Sequence, residues 1–559
     1  MALQAVYEAV RATQTARSTT IDPNLDLSEV TIQQVDEFLR HHGEKDRPGA
    51  LLTALAVLEA RPDLVHDQSS REPLAGIINT IAQLMTPTLT ITQDGDTADY
   101  QNVRQSASIG IDLVHLITSQ DDVELSAAAT VALIAYTDAT VQWSDPDLAE
   151  SAQEVLDAHF DHGNTSVQQF ILEDVLHAFI RPLFSKSRPA TVTASGRKAE
   201  FVQTSRYDTF NADAEANKPW KYQSRYAITV FAWTVDHADR ETIQKNWHQF
   251  TPVLLTLLDE TDTPLKLKSL DIFKAFWSKC PPDLMQQTGL AQVFEDAIFP
   301  AVLYLPSLTP EDESVQVLNA TYSALFAIAG IDADYNTSKP QSDPKFSDKQ
   351  RKLVHKIVRE GILTAYQHSS EYIRIVEVLC KQLQLVVNGM GIFAVKHLKD
   401  AIPMLSAIIS DPFATVHPAS LIAALDALRA VQNTCWPRVP NYANNIIKML
   451  MLCWLRIEED EHSNNSDGQD NPEKDDQHRG APNTVMLEAS VIKEKLKHNA
   501  RMLDAILTTS QEEHQNSDPV SGNGEKIEES RRSVGGGTLS ERVRPLVEKH
   551  RSLGELFGP

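Results

Sequence analysis

Apolar residues recur three or four positions apart along almost the whole chain of 559 residues, which is the period of an amphipathic α-helix. The clearest such stripe consists of Tyr372, Val376, Leu379, Leu383 and Val386. An alternation of apolar and polar residues, which would indicate a β-strand, occurs only briefly at residues 89–92. Glycine is also scarce, although the many turns of an all-β protein need it. The pattern therefore predicts an all-α protein.

Three segments share one plan: a helix that contains a proline, a polar turn, and a second apolar-striped helix. The prolines are Pro252, Pro300 and Pro403. The first two are separated by close to the roughly 40–47 residues of a HEAT repeat, and the third follows about two such units later. One helical pair cannot bury both of its faces, so pairs stack around a shared core. The repeat predicts a HEAT-like α-solenoid of stacked helix pairs, bent by the prolines of its outer helices.

The turns between paired helices carry the residues that we expect to mark the repeats. Asp259 lies in the first turn, and Lys266 or Lys268 in the following helix is its candidate ion-pair partner across neighbouring repeats. The alternative is that both lysines are simply solvated. The second turn carries four candidate partner-binding residues, which are Leu305, Pro306, Leu308 and Pro310. The alternative for these residues is that they only set the geometry of the turn.

Changes in composition divide the chain into six segments. Residues 458–479 hold nine acidic and two basic side chains among many polar residues, so they cannot bury enough apolar surface to offset the entropy of ordering. We expect their removal to leave the fold intact. The predicted segments are helical repeats over 1–184, a long loop over 185–219, HEAT-like repeats over 220–457, a disordered acidic linker over 458–483, a helix packed on the solenoid over 484–510, and a flexible tail over 511–559 with a short terminal helix.

The formal net charge of −25 restricts the partners of the chain. A polyanion gains nothing from counterion release on a phosphate backbone, so nucleic acid is an unsuitable ligand. Anionic membrane surfaces are disfavoured for the same reason. No secretory signal and no run of about 18 uninterrupted apolar residues is visible. We expect a cytoplasmic and nuclear protein whose partners are basic or uncharged proteins.

Sequence motifs for catalysis or cofactor binding are missing from the chain. It has no P-loop, no GxSxG and no HExxH motif. His159 and His162 could share a helical face, but no third metal ligand follows at a useful spacing. The acidic stretch 94–99 lacks the EF-hand pattern. The four cysteines form no CxxC pair and are expected to be reduced, mostly buried thiols. We therefore expect no enzyme activity, cofactor, metal or small-molecule substrate.

Several short stretches of the chain resemble one family. The most specific are Cys280-Pro-Pro-Asp-Leu, Thr288-Gly-Leu-Ala-Gln-Val-Phe-Glu-Asp-Ala-Ile-Phe-Pro and Tyr304-Leu-Pro-Ser-Leu-Thr-Pro-Glu. Further stretches are Arg181-Pro-Leu-Phe-Ser-Lys, Pro219-Trp-Lys and Pro252-Val-Leu-Leu-Thr-Leu-Leu-Asp. Together they resemble the Tti-two family of Tel-two-interacting proteins over about residues 180–455, in what looks like a fungal form.

The resemblance implies a subunit of the Triple-T complex, which joins Tel-two and Tti-one proteins. That complex acts with the ninety-kilodalton heat-shock chaperone to mature and stabilise phosphatidylinositol-3-kinase-related kinases, including the TOR and checkpoint kinases. The family subunit is a HEAT-type solenoid that joins mainly through Tti-one and has no catalytic residues. The acidic segment 458–479 is not part of the family pattern.

One alternative function fits the same fold, namely a HEAT-type adaptor for nuclear transport or phosphatase assembly. An acidic solenoid could hold basic peptides. That function would need acidic, Trp and Asn residues repeated on the inner helices, and the sequence shows no such regular ladder.

Overall fold

The chain folds into helices joined by turns throughout the part that the structure covers. This computed structural model describes residues 2–13, 27–66, 71–87, 100–119, 123–162, 166–185, 218–331, 346–466, 482–516 and 538–558. Within those ranges no strand is present, so the predicted all-α class of stacked helix pairs is confirmed. Two compact units divide the chain. The first comprises 1–260 with 275–293, and the second comprises 261–274 with 294–559.

The first unit begins with short helices whose ends are fixed by local hydrogen bonds. Thr31 and Gln34 form a reciprocal capping box, and the Asp46 carboxylate accepts a hydrogen bond from the N–H of Gly49 at 3.1 Å. The helices are α1 Ala2–Thr13, α2 Ile32–Gly43, α3 Arg47–Ala60, α4 Asp63–His66, α5 Arg71–Met85, α6 Tyr100–Thr118, α7 Ala127–Ile134, α8 Pro146–His162, α9 Val167–Phe170, a π-helical stretch Ile171–Ile180, α10 Arg181–Phe184, α11 Pro219–Tyr222, α12 Tyr226–His237 and α13 Arg240–Leu258.

Two helices, α14 Thr263–Lys279 and α16 Leu290–Ile298, cross the division and contribute residues to both units, whereas α15 Pro282–Thr288 belongs to the first unit. The other helices of the second unit are α17 Glu311–Ala329, α18 Asp348–Lys356, a π-helical stretch Ile357–Leu363, α19 Thr364–Ser369, α20 Ile373–Met390, α21 Leu398–Ile409, α22 Pro418–Thr434, α23 Ala443–Ser466, α24 Pro482–Asn516, α25 Leu539–Lys549 and α26 Leu553–Phe557. Shorter 3₁₀ turns occupy Phe299–Leu303, Gly391–His397, Ala414–Val416 and Val439–Tyr442.

Each unit is built by stacking helical pairs. In the first unit α3 packs against α2 and α6, and α5 packs against α2, α6 and α7. In the second unit α20 packs against α17 and α22, and α22 packs against α21 and α24. These helices thus contact a partner in their own pair and a helix of the next pair, which is how stacked repeats bury both faces of a pair. The core of the first unit contains the fully buried Trp220, and the core of the second contains the fully buried Tyr322 and Trp454.

The three repeat prolines occupy different positions in their helices. Pro252 lies inside α13, where the backbone departs from helical geometry at Asn246 (φ −118°, ψ 16°). Pro403 lies inside α21. Pro300, in contrast, was expected within a helix running on to Leu305, and this expectation was wrong. Because proline has no N–H to continue the ladder, the α-helix ends at Ile298 and Pro300 sits in a 3₁₀ turn.

One apolar stretch of the second unit has the composition of a membrane span. Ile373–Ile409 contains an 18-residue window with a mean hydropathy of 1.5. However, 56% of that window is buried inside the protein, and α20 at its start packs against α17 and α22. A core helix of a globular protein has the same composition, and the fold uses the stretch in that way.

The C-terminal part of the second unit differs from the predicted segmentation. Helix α23 continues to Ser466, beyond the predicted start of the acidic linker at 458. In the predicted tail, α25 and α26 pack on the unit and bury Val543 and Leu556. The remaining acidic segment 467–481, the tail segment 517–537, most of the predicted loop 185–219 and the acidic stretch 94–99 lie outside the described residues.

Candidate protein-binding surface

The turns that join paired helices of the second unit lie along one edge. The carboxylate of Asp312, in the first turn of α17, pairs with Arg374 in the first turn of α20. The turn after α21 lies near α19, the helix that precedes α20. Burial raises the pKa of Tyr366 in α19, and the nearby Cys380 and Asp411, the latter from that turn, raise it further. We call the residues 304–310, 370–373 and 410–417 the turn edge.

Large apolar side chains stand in solvent along the turn edge. Their exposed fractions are 90% for Leu308, 71% for Phe413, 65% for Val416 and 37% for Ile373. Single exposed apolar residues are common on protein surfaces and need no explanation. A series on successive turns of one edge is less ordinary, and such patches mark interaction sites.

The four residues that were predicted to bind a partner differ in their exposure to solvent. Leu305 is buried, whereas Leu308 is almost fully exposed, Pro306 is half-buried and Pro310 is exposed at the N-terminus of α17. The carbonyl of Leu305 accepts hydrogen bonds from the N–H groups of both Leu308 and Thr309, each at 3.0 Å. Leu305 therefore anchors the turn in the core and holds Leu308 outward. The partner-binding role of this turn stays a prediction.

The turn between α21 and α22 is held still more firmly. The Asp411 carboxylate accepts a hydrogen bond from the N–H of Phe413 at 2.7 Å. The Arg456 side chain donates to the carbonyl of Pro412 at 2.9 Å, and the Thr415 hydroxyl donates to Asp460 at 2.7 Å. These contacts fix the backbone on both sides of Phe413, so its ring is displayed by a rigid turn.

Acidic side chains surround these apolar residues. The first turn of α17 contains Glu311, Asp312 and Glu313. The positive end of the helix dipole stabilises negative charges at this position. Glu371 and Asp411 are exposed on the next two turns. The neighbouring arginines, Arg374 and Arg456, are already paired with Asp312 and Glu459. The turn edge is therefore apolar at its centre and acidic around it.

The charged repeat markers occupy the two different units. Asp259 ends α13 in the first unit, whereas Lys266 and Lys268 belong to the second, and the predicted ion pair between them stays a prediction. Lys266 is buried, with its ammonium 5.9 Å from the ring centroid of Tyr304. Its contact with an aromatic face compensates part of the cost of burying the charge.

The acid that sequence reasoning missed in this turn is Glu260, the residue after Asp259. Its side chain is buried and binds the ammonium groups of Lys218 and Lys221, the latter at 2.5 Å. Burial would raise the pKa of Glu260, but the hydrogen bonds and charges of the two lysines outweigh burial and lower it. No sequence signal identified this cluster, because the lysines lie about forty residues away.

A histidine pair in the second unit was also missed. His355 Nδ1 lies 2.8 Å from His397 Nε2. Burial lowers the pKa of His355, and burial together with His355 lowers that of His397 to about 4. Both rings are therefore neutral near pH 7, and one donates its N–H to the other. Among the described residues, no three His, Cys, Asp or Glu side chains are grouped to hold a metal ion.

The cysteines and His159 occupy structural positions. Cys380, Cys435 and Cys453 are buried, and Cys280 is half-buried. Burial raises the pKa of Cys280, Cys380 and Cys453 to about 12, so these thiols are protonated and unreactive at neutral pH. Burial likewise lowers the pKa of His159, which packs beside Phe160. The partner of His159 in the proposed pair, His162, has a side chain outside the described residues.

A cleft in the first unit has a volume of about 1040 Å³. Its walls carry charges of both signs that bond to protein groups. The Arg11 side chain lies 3.7 Å from the carboxylate of Asp46, and Arg104 donates two hydrogen bonds to the carbonyl of Gln142. This mixture of charges does not indicate any one ligand.

Comparisons with known proteins identify a similar solved structure and the family of the chain. A solved structure of the karyopherin Kap121p, bound to the extreme C-terminus of the protein phosphatase Cdc14p, is similar over 91% of this chain with 10% sequence identity and a TM-score of 0.34. The match covers 54% of the karyopherin, so this chain spans about half of its length. The model of the Tti2 family matches residues 129–416, which is just over half of the chain. The chain therefore belongs to the Tti2 family, a scaffold-type family whose members are associated with the TTT complex.

Proposed function

We propose that this chain is the non-catalytic scaffold subunit of the Triple-T complex and binds the Tti-one and Tel-two proteins there. In this role it acts with the ninety-kilodalton heat-shock chaperone system to mature and stabilise phosphatidylinositol-3-kinase-related kinases. It works in the cytoplasm and the nucleus. It needs no cofactor and no small-molecule substrate.

The family match over residues 129–416 is the observation that carries the proposal. The architecture is compatible with it, because stacked helical pairs present an extended series of turns and helix faces at fixed spacing. The turn edge also fits this role, because it displays large apolar side chains on a rigid backbone. Exposed apolar patches with a polar rim mark protein interaction sites.

Purification of the tagged full chain from its native cells tests the proposal. We expect Tti-one and Tel-two proteins in amounts equal to the chain, together with smaller amounts of the chaperone and the kinases. Cells that express the tag alone are the control. Recovery of a small Ran-type GTPase with basic cargo, or of a phosphatase catalytic subunit, in place of these proteins would favour the adaptor function.

Depletion of the chain gives a second, independent readout. Because the complex is proposed to support kinase maturation, the TOR and checkpoint kinases should decline in protein level while their messenger RNAs stay constant. Re-expression of the full chain should restore the kinase levels. Unchanged kinase levels after complete depletion would contradict the role in maturation.

A further inference from the structure

The exposed apolar residues of the turn edge are held by backbone hydrogen bonds that do not depend on a partner. Leu308 projects from a turn whose N–H groups bond to the buried Leu305, and Phe413 projects from a turn bonded to Asp411 and Arg456. Ordering flexible side chains and loops is one of the main costs of association. These turns are already ordered, so contact with Leu308, Phe413 and Val416 adds affinity at little cost in backbone entropy.

The opposite ends of the same helices are different. The apolar residues there, Ile392, Phe393 and Trp436, are exposed by no more than 40%. The Phe393 ring is partly covered by the Arg351 guanidinium, 5.2 Å from the ring centroid. Among the described residues of this unit, the three most exposed large apolar side chains, Leu308, Phe413 and Val416, all lie on the turn edge, whereas Ile373 is about as exposed as the residues at the opposite ends.

The charge around the turn edge selects the kind of partner that fits it. Glu311, Glu313, Glu371 and Asp411 rim the apolar residues, and the two nearby arginines are committed to ion pairs. Helix α23 reaches the same edge, because Asp460 bonds to Thr415, and the chain that follows Ser466 carries five further acidic and two basic residues over 467–481. The acidic segment is thus itself an unsuitable occupant, because its charge has the same sign.

We propose that the turn edge is a docking surface for a segment of another protein that carries lysine or arginine residues beside large apolar side chains. The apolar side chains pack on Leu308, Phe413, Val416 and Ile373, and the basic groups face the acidic rim. This inference deepens the proposed scaffold function, on which it rests, by assigning a surface and a chemistry to one partner. Charge complementarity of this kind supplies specificity and fast association.

The decisive experiment compares two variants of the full chain. The edge variant combines Leu308→Ser, Phe413→Ser and Val416→Ser, and the control variant combines Ile392→Ser and Trp436→Ser. Because the three edge residues are mostly exposed, the edge variant should unfold at the same temperature as the wild type. Equal thermal stability shows that any loss of binding reflects the surface and not the fold.

The probe is a labelled sixteen-residue peptide of leucine and lysine at helical spacing, with a leucine–glutamate peptide of the same pattern as its counterpart. Fluorescence anisotropy should show binding of the lysine peptide to the wild-type chain and to the control variant with similar affinity. The edge variant should bind about tenfold more weakly or worse, because interface anchors each contribute a factor of this order. The glutamate peptide should not bind measurably.

Charge variants separate the acidic rim from the overall charge of −25. Glu311→Gln with Glu371→Gln should weaken the lysine peptide several-fold and reduce the dependence of its binding on salt. Glu37→Gln with Glu548→Gln changes the net charge equally at exposed residues that are not part of the turn edge, and it should have little effect. Three results would overturn the proposal: no binding to the wild type, equal binding to the edge variant, or equal weakening by both charge pairs.

The proposed function and this inference can fail separately. If the edge variant still recovers Tti-one and Tel-two proteins from cells and binds the lysine peptide as the wild type does, the docking surface is wrong and the scaffold function stands. If wild-type purification recovers neither protein while peptide binding depends on the turn edge, the surface stands and the assignment to the Triple-T complex is wrong.

Discussion

His355 Nδ1 and His397 Nε2 lie 2.8 Å apart, which links helix α18 to the 3₁₀ turn after α20 by a bond between two imidazole rings. The bond requires at least one neutral ring, because two imidazolium ions would both be donors and would repel each other. Lys396 and Arg351 also lie near the pair and disfavour protonation, whereas Asp400 favours it. Burial and the two cations therefore favour neutral rings in the fold, so protonation of the pair should destabilise the second unit.

Stability should fall when the histidine pair is forced to take up protons. An unfolded histidine has a pKa of about 6.5, while that of folded His397 is lowered to about 4. The contribution is thus fully present above about pH 6.5 and is lost as the pH falls towards about 4. Between pH 7.5 and pH 5, the free energy of unfolding should fall by about 1–2 kcal/mol more in the wild type than in His397→Gln. Chemical denaturation at the two pH values measures this difference.

The exposed His417→Gln is the matched control for that measurement, and it should keep the pH dependence of the wild type. If His397→Gln and the wild type lose the same free energy of unfolding between the two pH values, the pair does not carry the effect.

The buried carboxylate of Glu260 should be important for the first unit. Glu260→Gln removes the charge that binds Lys218 and Lys221, and we expect the free energy of unfolding to fall by about 1–3 kcal/mol. The control is Glu241→Gln, whose pair with Lys245 is exposed to solvent and should contribute little to stability. Urea denaturation compares the two variants, and equal small losses would refute a special role for Glu260.

Gly391 occupies a backbone region that side chains avoid, with φ 57° and ψ −136° where α20 ends. Gly391→Ala should therefore destabilise the second unit by about 1–3 kcal/mol. Gly76→Ala is the contrasting change, since Gly76 lies within helix α5 and the nearest atom to an added Cβ is 4.0 Å away. Calorimetry should show this variant to be more stable by about 0.5–1 kcal/mol, because alanine favours the helix. A Gly391→Ala variant more stable than the wild type would contradict the argument that position 391 requires glycine.

The acidic segment 467–481 should be dispensable for folding, whereas the end of α23 should not. Replacing 467–481 by a Gly/Ser linker of equal length should leave the melting temperature unchanged. The sequence predicts that deletion of 458–479 is harmless, but the structure contradicts this, because Asp460 and Glu461 bond to Thr415 at 2.7 Å and to Lys493 at 2.6 Å. We therefore expect this deletion to lower the melting temperature. Identical melting temperatures for the two variants would show that the contacts of Asp460 and Glu461 do not contribute to stability.

The fold was predictable where a local pattern determines it. Helical periodicity identified the apolar face of α20, and Pro252 and Pro403 were placed correctly inside their helices. Pro300 was misplaced, because the pattern of apolar residues does not distinguish an α-helix from the 3₁₀ turn that a proline forces on it.

The surface was less predictable, because exposure depends on tertiary packing. Leu305 and Leu308 belong to the same short turn and have the same chemistry, yet one is buried and the other is 90% exposed. No sequence pattern identifies Phe413 as exposed, because its turn is held by contacts with Arg456 and Asp460 in a later helix. The bonds of Glu260 and the His355–His397 pair arise in the same way from residues that are distant in the sequence.

The most direct test of the scaffold function is reconstitution from purified full-length proteins. When this chain is mixed with Tti-one and Tel-two proteins, size-exclusion chromatography with light scattering should show a single species whose mass corresponds to one copy of each. Elution of this chain alone, beside a stable complex of the other two proteins, would contradict the proposed function.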